Sequence, residues 1–362
     1  MKVVTTRFAS VIAGLAAALV ATAAAVAATP DGGRCPTADL MAGRPPGPPP
    51  QVVLAKTVAA SDTSTSRVIA PDVTRQIQCG KTALRTTQGV IFSTPKLADG
   101  RERPLAMDVL APAKGGRRPL VVYITGGGFM ISPRQSALDL RTYVAEAGFV
   151  VASIEYRTVP EGATWRDGLA DVKAAIRYLK AHADAYGIDP DHVAVWGESA
   201  GGYLASMAGV TVGEAGFDLG DNLDQSSRVQ AVVDKFGAAD VTRLASDFDP
   251  AAQAASASPA NPIFRYIAPA AAPAAANPVS HVDAKDPPFL LFHGSRDTLI
   301  SPSQTLVLHQ ALRQAGVDST RYVLEGAGHG DLGFLGDPQA GLPWSSQEAM
   351  DDIVTFLRRV LG

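Results

Sequence analysis

The stretch HVAVWGESAGGYLASMAGV (residues 192–210) decides how the chain reads. An apolar run, HVAVW, enters the string Gly197-Glu198-Ser199-Ala200-Gly201-Gly202, and a helix-compatible run leaves it. A G-x-S-x-G string alone recurs by chance, so its flanks carry the argument. A strand that turns sharply into a helix lifts the middle residue above the sheet edge, and small residues at 197 and 201 let the backbone pass closely. Ser199 is therefore the candidate nucleophile. The Ala200 amide opens the following helix, where negative charge is favoured. A purely structural Gly-Ser turn is the competing reading.

Upstream, the run LVVYI (residues 120–124) ends in Thr125-Gly126-Gly127-Gly128-Phe129. Consecutive glycines free the backbone to aim amides at a substrate oxygen, so Gly127 and Gly128 join Ala200 as candidate oxyanion donors. A phosphate cradle would need the spacing G-x-x-x-x-G-K-[ST], which this loop lacks. No cofactor or metal is expected. Phe129 and Met130, just past the glycines, and Trp165 in the next loop are candidate pocket residues, each with a plain core role as its alternative.

A serine nucleophile needs a base within reach and a carboxylate to orient that base. The chain has six histidines. His182 falls on the polar side of a helical stripe, His309 lies in a helical stretch, His192 opens the strand before Ser199, and His281 sits in an irregular segment. His293 in FLLFHGSRD (residues 289–297) and His329 in RYVLEGAGHG (residues 321–330) stand at strand ends. In the chain order Ser, acid, His, the base is His329 and the acid lies between 199 and 329. Asp297, just past the strand FLLF, fits. Asp283, Asp286 and Glu325 are the alternative acids, and His293 reads as a structural residue beneath the acid loop.

Around these motifs, short apolar runs alternate with helical patterns. Runs near residues 120–124, 149–155, 192–196, 229–235, 289–292 and 321–324 read as parallel strands buried on both faces. Leu169, Val172, Ile176, Leu179 and Ala183 form one helical stripe, and Met350, Ile353, Leu357 and Val360 another. The expected fold class is α/β, with a mostly parallel central sheet and helices on both faces. Residues 89–93 and 105–110 predict an antiparallel pair at the sheet edge. Residues 250–278, dense in Ala and Pro, predict a cap or loop insertion, with an excursion of no role as the alternative.

The chain has 362 residues, 46% apolar and 19% charged, with a formal net charge of -3. That composition supports one large core and gives no attraction for nucleic acid or anionic membrane. Lys2 and Arg7 precede an Ala-, Val- and Leu-rich run over residues 8–28 that closes on small residues. Residues 1–28 therefore read as a cleaved signal peptide, with a secreted or periplasmic product and no stable membrane insertion, a retained membrane anchor being the alternative. Residues 29–85, including GRPPGPPPQ (residues 43–51), read as a Pro-rich linker or N-terminal arm, and residues 86–362 as the catalytic domain. Cys35 and Cys79 are the two cysteines, and an oxidising compartment predicts that they pair, two free thiols being the alternative.

With these residues in place, the chain resembles the esterase and lipase branch of the α/β hydrolases that carries a glycine-rich oxyanion loop. IEYRTVPE (residues 154–161), GIDP (residues 187–190) and GESAGG carry the likeness, together with PPFLLFHGSRD (residues 287–297) and EGAGHG (residues 325–330). The last two segments are similar to those of bacterial feruloyl and acetylxylan esterases. The resemblance implies a carboxylic ester hydrolase acting through an acyl-enzyme on small acyl or aryl esters, among them acetylated or feruloylated carbohydrate. A serine peptidase or amidase, an acyltransferase and a non-catalytic binding protein are the alternatives. One position departs from the family: Thr125 stands where a histidine usually precedes the glycines.

Overall fold

In the computed structural model, which describes residues 23–26, 32–38, 54–267, 273–330 and 339–362, alternate side chains of one central strand enter opposite cores. That strand, Arg118–Ile124, sends Leu120, Val122 and Ile124 to one cluster and Val121 and Tyr123 to the other. Both faces of the sheet are thus covered, as near-continuous apolar strands require.

The strands are β1 (Ala23–Val26), β2 (Gly33–Arg34), β3 (Arg67–Ile69), β4 (Gln78–Cys79), β5 (Leu84–Ser93) and β6 (Leu105–Pro112). They continue as β7 (Arg118–Ile124), β8 (Val150–Ile154), β9 (Ile188–Glu198), β10 (Ala231–Lys235), β11 (Phe289–Gly294) and β12 (Ser319–Leu324). The helices are α1 (Leu138–Glu146), α2 (Trp165–Ala181), α3 (Ala183–Tyr186), α4 (Ala200–Val210), α5 (Pro250–Ser256), α6 (Pro262–Ile267), α7 (Ser303–Gln314) and α8 (Gln347–Leu361). Ten strands form one sheet in the order β1-β5-β6-β8-β7-β9-β10-β11-β12-β3. From β8 to β3 the neighbours run parallel, whereas β1, β5 and β6 pair antiparallel at the other edge. This is the expected α/β class.

Apolar stripes dock the helices. Leu169, Val172, Ile176 and Leu179 of α2 enter the first core with residues of α4 and α7, and Met350, Ile353 and Leu357 of α8 enter the second with α1. From β7 the chain crosses through α1 to β8 on one side, then returns through α2 to β9 on the other. The carboxyl ends of β7 and β9 therefore flank a topological switch point, the crevice where ligands bind in open α/β sheets.

Residues 54–84 wrap the domain. β3 extends the sheet beside β12, and the Ile77 amide donates to Ser345 O at 3.1 Å. Cys35 and Cys79 are joined in a disulfide, with Cα atoms 4.7 Å apart, across the small β2–β4 ribbon. Of the expected leader, only β1 lies within the described residues.

Candidate active site

Backbone crowding forces the shape at Ser199. Its φ of 55° and ψ of -118° lie outside the ordinary regions, between the end of β9 and the start of α4. A methyl group on Gly197 would fall 2.0 Å from Gly201 O, and one on Gly201 would fall 1.9 Å from Ile124 O. Glycine is therefore obligatory at both positions, which explains the motif in steric terms. The Ser199 amide donates to Lys235 O at 2.8 Å, anchoring the turn to β10.

The expected base and acid meet this serine. His329 Nε2 lies 2.8 Å from Ser199 Oγ, and His329 Nδ1 lies 2.7 Å from Asp297 Oδ2. Asp297 is fully buried and His329 is 4% exposed. Burial opposes a charge on Asp297, but the two neighbouring imidazoles outweigh it and hold the carboxyl well below the usual carboxylate range. Its Oδ1 accepts the amides of Leu299 and Ile300, both at 2.9 Å. The carboxylate is thus fixed on both oxygens.

His293 takes the supporting position. Its Nε2 lies 3.1 Å from Asp297 Oδ2 and 3.1 Å from Ile300 O, both acceptors, so this nitrogen carries the proton. Thr305 Oγ1 accepts from Arg321 Nε at 3.0 Å and is left free to donate to His293 Nδ1 at 3.0 Å. Of the other acids, Glu325 is tied by its amide to Ile69 O, and Asp283 and Asp286 bond to each other ahead of β11.

At the end of β7, Gly127 and Gly128 adopt φ values of 139° and 59°. Among the described residues, no acceptor takes the amides of Gly127, Gly128 or Ala200. A methyl on Gly126 would lie 3.4 Å from Ser199 Cβ, which brings the loop against the serine. Thr125 is buried, and its hydroxyl donates to Gly126 O at 3.1 Å. The Thr125 carbonyl accepts from Tyr156 Oη at 3.1 Å. Ser132 Oγ donates to Tyr156 O at 2.7 Å, and the Val159 amide donates to Phe129 O at 2.8 Å. The segment after β8 therefore backs the glycine loop behind Thr125.

Residue-by-residue reading missed Tyr156, although it lies inside the quoted IEYR segment. It also missed Phe236, whose ring centroid sits 4.6 Å from that of His329, and Tyr266 of α6, which stacks on Phe129 at 4.1 Å. Through Tyr266, the Ala- and Pro-rich segment packs onto the glycine loop. Phe129 is buried between Tyr266 and Tyr203, Met130 is half-buried, and Trp165 is buried 5.5 Å from the Phe217 ring.

A strand-to-helix serine at the switch point of a mostly parallel sheet, with an acid after β11 and a histidine after β12, defines an α/β hydrolase. A BD-FAE family profile matches residues 107–312, and the chain belongs to that family. It is 34% identical over 216 residues to a probable carboxylic ester hydrolase, LipM, of Mycobacterium tuberculosis, covering 57% of this chain and 48% of that one. The chain spans about half the length of the curated relatives it matches. Among solved structures, a truncated carbohydrate esterase from gut microbiota aligns with TM-score 0.58 and 24% identity, over 80% of this chain and 98% of that one. Thermogutta terrifontis esterase 2 aligns with TM-score 0.59 and 23% identity, over 75% and 94%.

Proposed function

We propose that the chain is a serine carboxylesterase in which Ser199, His329 and Asp297 form the catalytic triad. One observation carries the reading: a serine in hydrogen-bond contact with a histidine that an ionised, buried aspartate orients, beside three amides with no acceptor among the described residues. Ser199 Oγ attacks the ester carbonyl carbon as its proton passes to His329 Nε2. The tetrahedral oxyanion accepts from Gly127, Gly128 and Ala200 amides. Collapse breaks the bond to the alcohol, which leaves with the proton from His329. Water then attacks the acyl-enzyme, gives a proton to His329, and the acid departs as Ser199 regains its hydrogen.

The substrates we infer are small acyl or aryl esters, with an oxygen-rich alcohol such as a sugar at the far end. A cleft of about 290 Å³ opens beside the glycine loop, lined by Ile131, Ser132, Arg103, Arg134, Glu155 and Glu161. Its two arginines bridge its carboxylates, so it offers hydrogen bonds without a strong net charge. Export belongs to this reading, supported by the leader pattern and the Cys35–Cys79 disulfide. Purified Ser199→Ala protein should hydrolyse p-nitrophenyl acetate at least about 1000-fold more slowly than wild type. Equal rates would remove Ser199 from the mechanism.

A further inference from the structure

Lys235, the last residue of β10, is 2% exposed, and no step of the reaction above uses its charge. Its ammonium lies 2.6 Å from Glu198 Oε1 and over the Trp344 ring, 5.1 Å from the centroid. The rings of Phe236 and Trp196 stand at 5.9 and 6.0 Å. Glu198 directly precedes Ser199, and the Lys235 carbonyl accepts the Ser199 amide. One lysine thus grips the elbow through both its main chain and its side chain. Its neighbour Phe236, at φ 47°, packs against His329.

Stability alone is a poor reason for this pair. A buried ion pair is often replaced by packed apolar residues at no loss, and three aromatic rings already surround the ammonium. Position gives a better reason. A lone carboxylate one residue from the nucleophile would oppose the negative charge that develops on the substrate oxygen, in a setting where water screens poorly. The other groups facing Glu198 bring it no positive charge: Tyr123 offers a neutral hydroxyl as a hydrogen-bond partner, and Asp139 is itself an acid. Burial and then Glu198 itself push the Tyr123 hydroxyl well above its usual range, and the same two causes raise Asp139. Arg141 lies over the Tyr123 ring at 5.8 Å. Among the described residues, Lys235 is the one cation in ion-pair contact with Glu198.

We propose that Lys235 is a positioning residue of the esterase site: it holds and neutralises Glu198, so that no unbalanced negative charge stands behind Ser199 where the oxyanion forms. The proposal rests on the reading of Ser199 as nucleophile.

The test compares wild type, Ser199→Ala, Lys235→Met and the Glu198→Gln/Lys235→Met double variant on p-nitrophenyl acetate, with folding checked by circular dichroism melts. A fully active Ser199→Ala defeats the esterase reading itself and is seen separately from the lysine series. With that control inactive, Lys235→Met should lower kcat about 10-fold or more while KM stays within about twofold. The double variant, which carries neither charge, should recover to within about threefold of wild-type kcat. A role in packing alone would leave the double variant no faster than the single. A wild-type kcat for Lys235→Met, or a folded double variant as slow as the single, overturns the proposal. If the single variant does not fold, the double variant decides. Near-wild-type kcat then supports charge balance, whereas a slow or unfolded double variant overturns it.

Discussion

Ser199 and His329 meet at 2.8 Å but reach that point by different routes. On the serine side, sterics over a few residues set the geometry: Gly197 and Gly201 pack too tightly for any side chain, and the turn is pinned to β10. On the acid and base side, loops after β11 and β12 are set by hydrogen bonds gathered from afar. Asp297 depends on Leu299, Ile300, His293 and His329, and His293 depends on Thr305 and through it on Arg321. Even the arm takes part, since the Ala55 amide donates to Thr298 O at 2.8 Å. A site can thus join one half that is rigid by exclusion with another that is rigid by satisfaction of polar groups.

Substitution should separate the two. Asp297→Asn keeps the shape of the polar half but replaces the acceptor that orients the base, so kcat should fall by about 10⁴-fold. The melting temperature should change far less than the rate, and parallel kinetic and calorimetric measurements check this. Gly201→Ala attacks the other half. Its methyl collides with Ile124 O, so we expect a stability loss of about 3 kcal/mol in denaturant titrations. A displaced serine should also lower activity about 100-fold. A stable, active Gly201→Ala would show that the elbow yields more readily than its contacts imply.

Tyr156→Phe probes the glycine loop between the halves. It leaves the Thr125 carbonyl without its donor, which should cost about 1–2 kcal/mol of stability and lower kcat several-fold with little change in KM. Unchanged kinetics would assign the bracing to Ser132 and Thr125.

The smallest effect concerns one titrating fastening within the steric half. Asp234 accepts from Ser206 Oγ and from the Gly237 amide, each at 2.8 Å, beneath α4. Burial pushes its carboxyl up to about 7, against the lowering effect of those hydrogen bonds. The folded value exceeds the unfolded one, so this group favours the fold fully below about pH 4, and that contribution is lost as pH rises through about 7. Melts between pH 5 and 8 should show wild type losing about 2–4 °C relative to Asp234→Asn.

The same division explains what the sequence disclosed. The elbow, the glycine loop and the strands from β6 to β12 were legible because their causes are local: apolar runs, glycines at fixed spacing, helical stripes. Asp297 and His329 could be picked out only through chain order and elimination. β3 escaped notice because three residues, two of them exposed, gain their strand form only by pairing with distant β12. Tyr156, Tyr266 and Lys235 act through partners remote in sequence, and no periodicity marks such contacts.

The most direct test of the central claim is covalent labelling of the wild-type protein with a fluorophosphonate probe, followed by peptide mass spectrometry. The account predicts a single phosphonyl adduct on Ser199, with hydrolysis of p-nitrophenyl acetate lost in proportion to labelling. An adduct on another residue, or full hydrolysis after Ser199 is blocked, would contradict it.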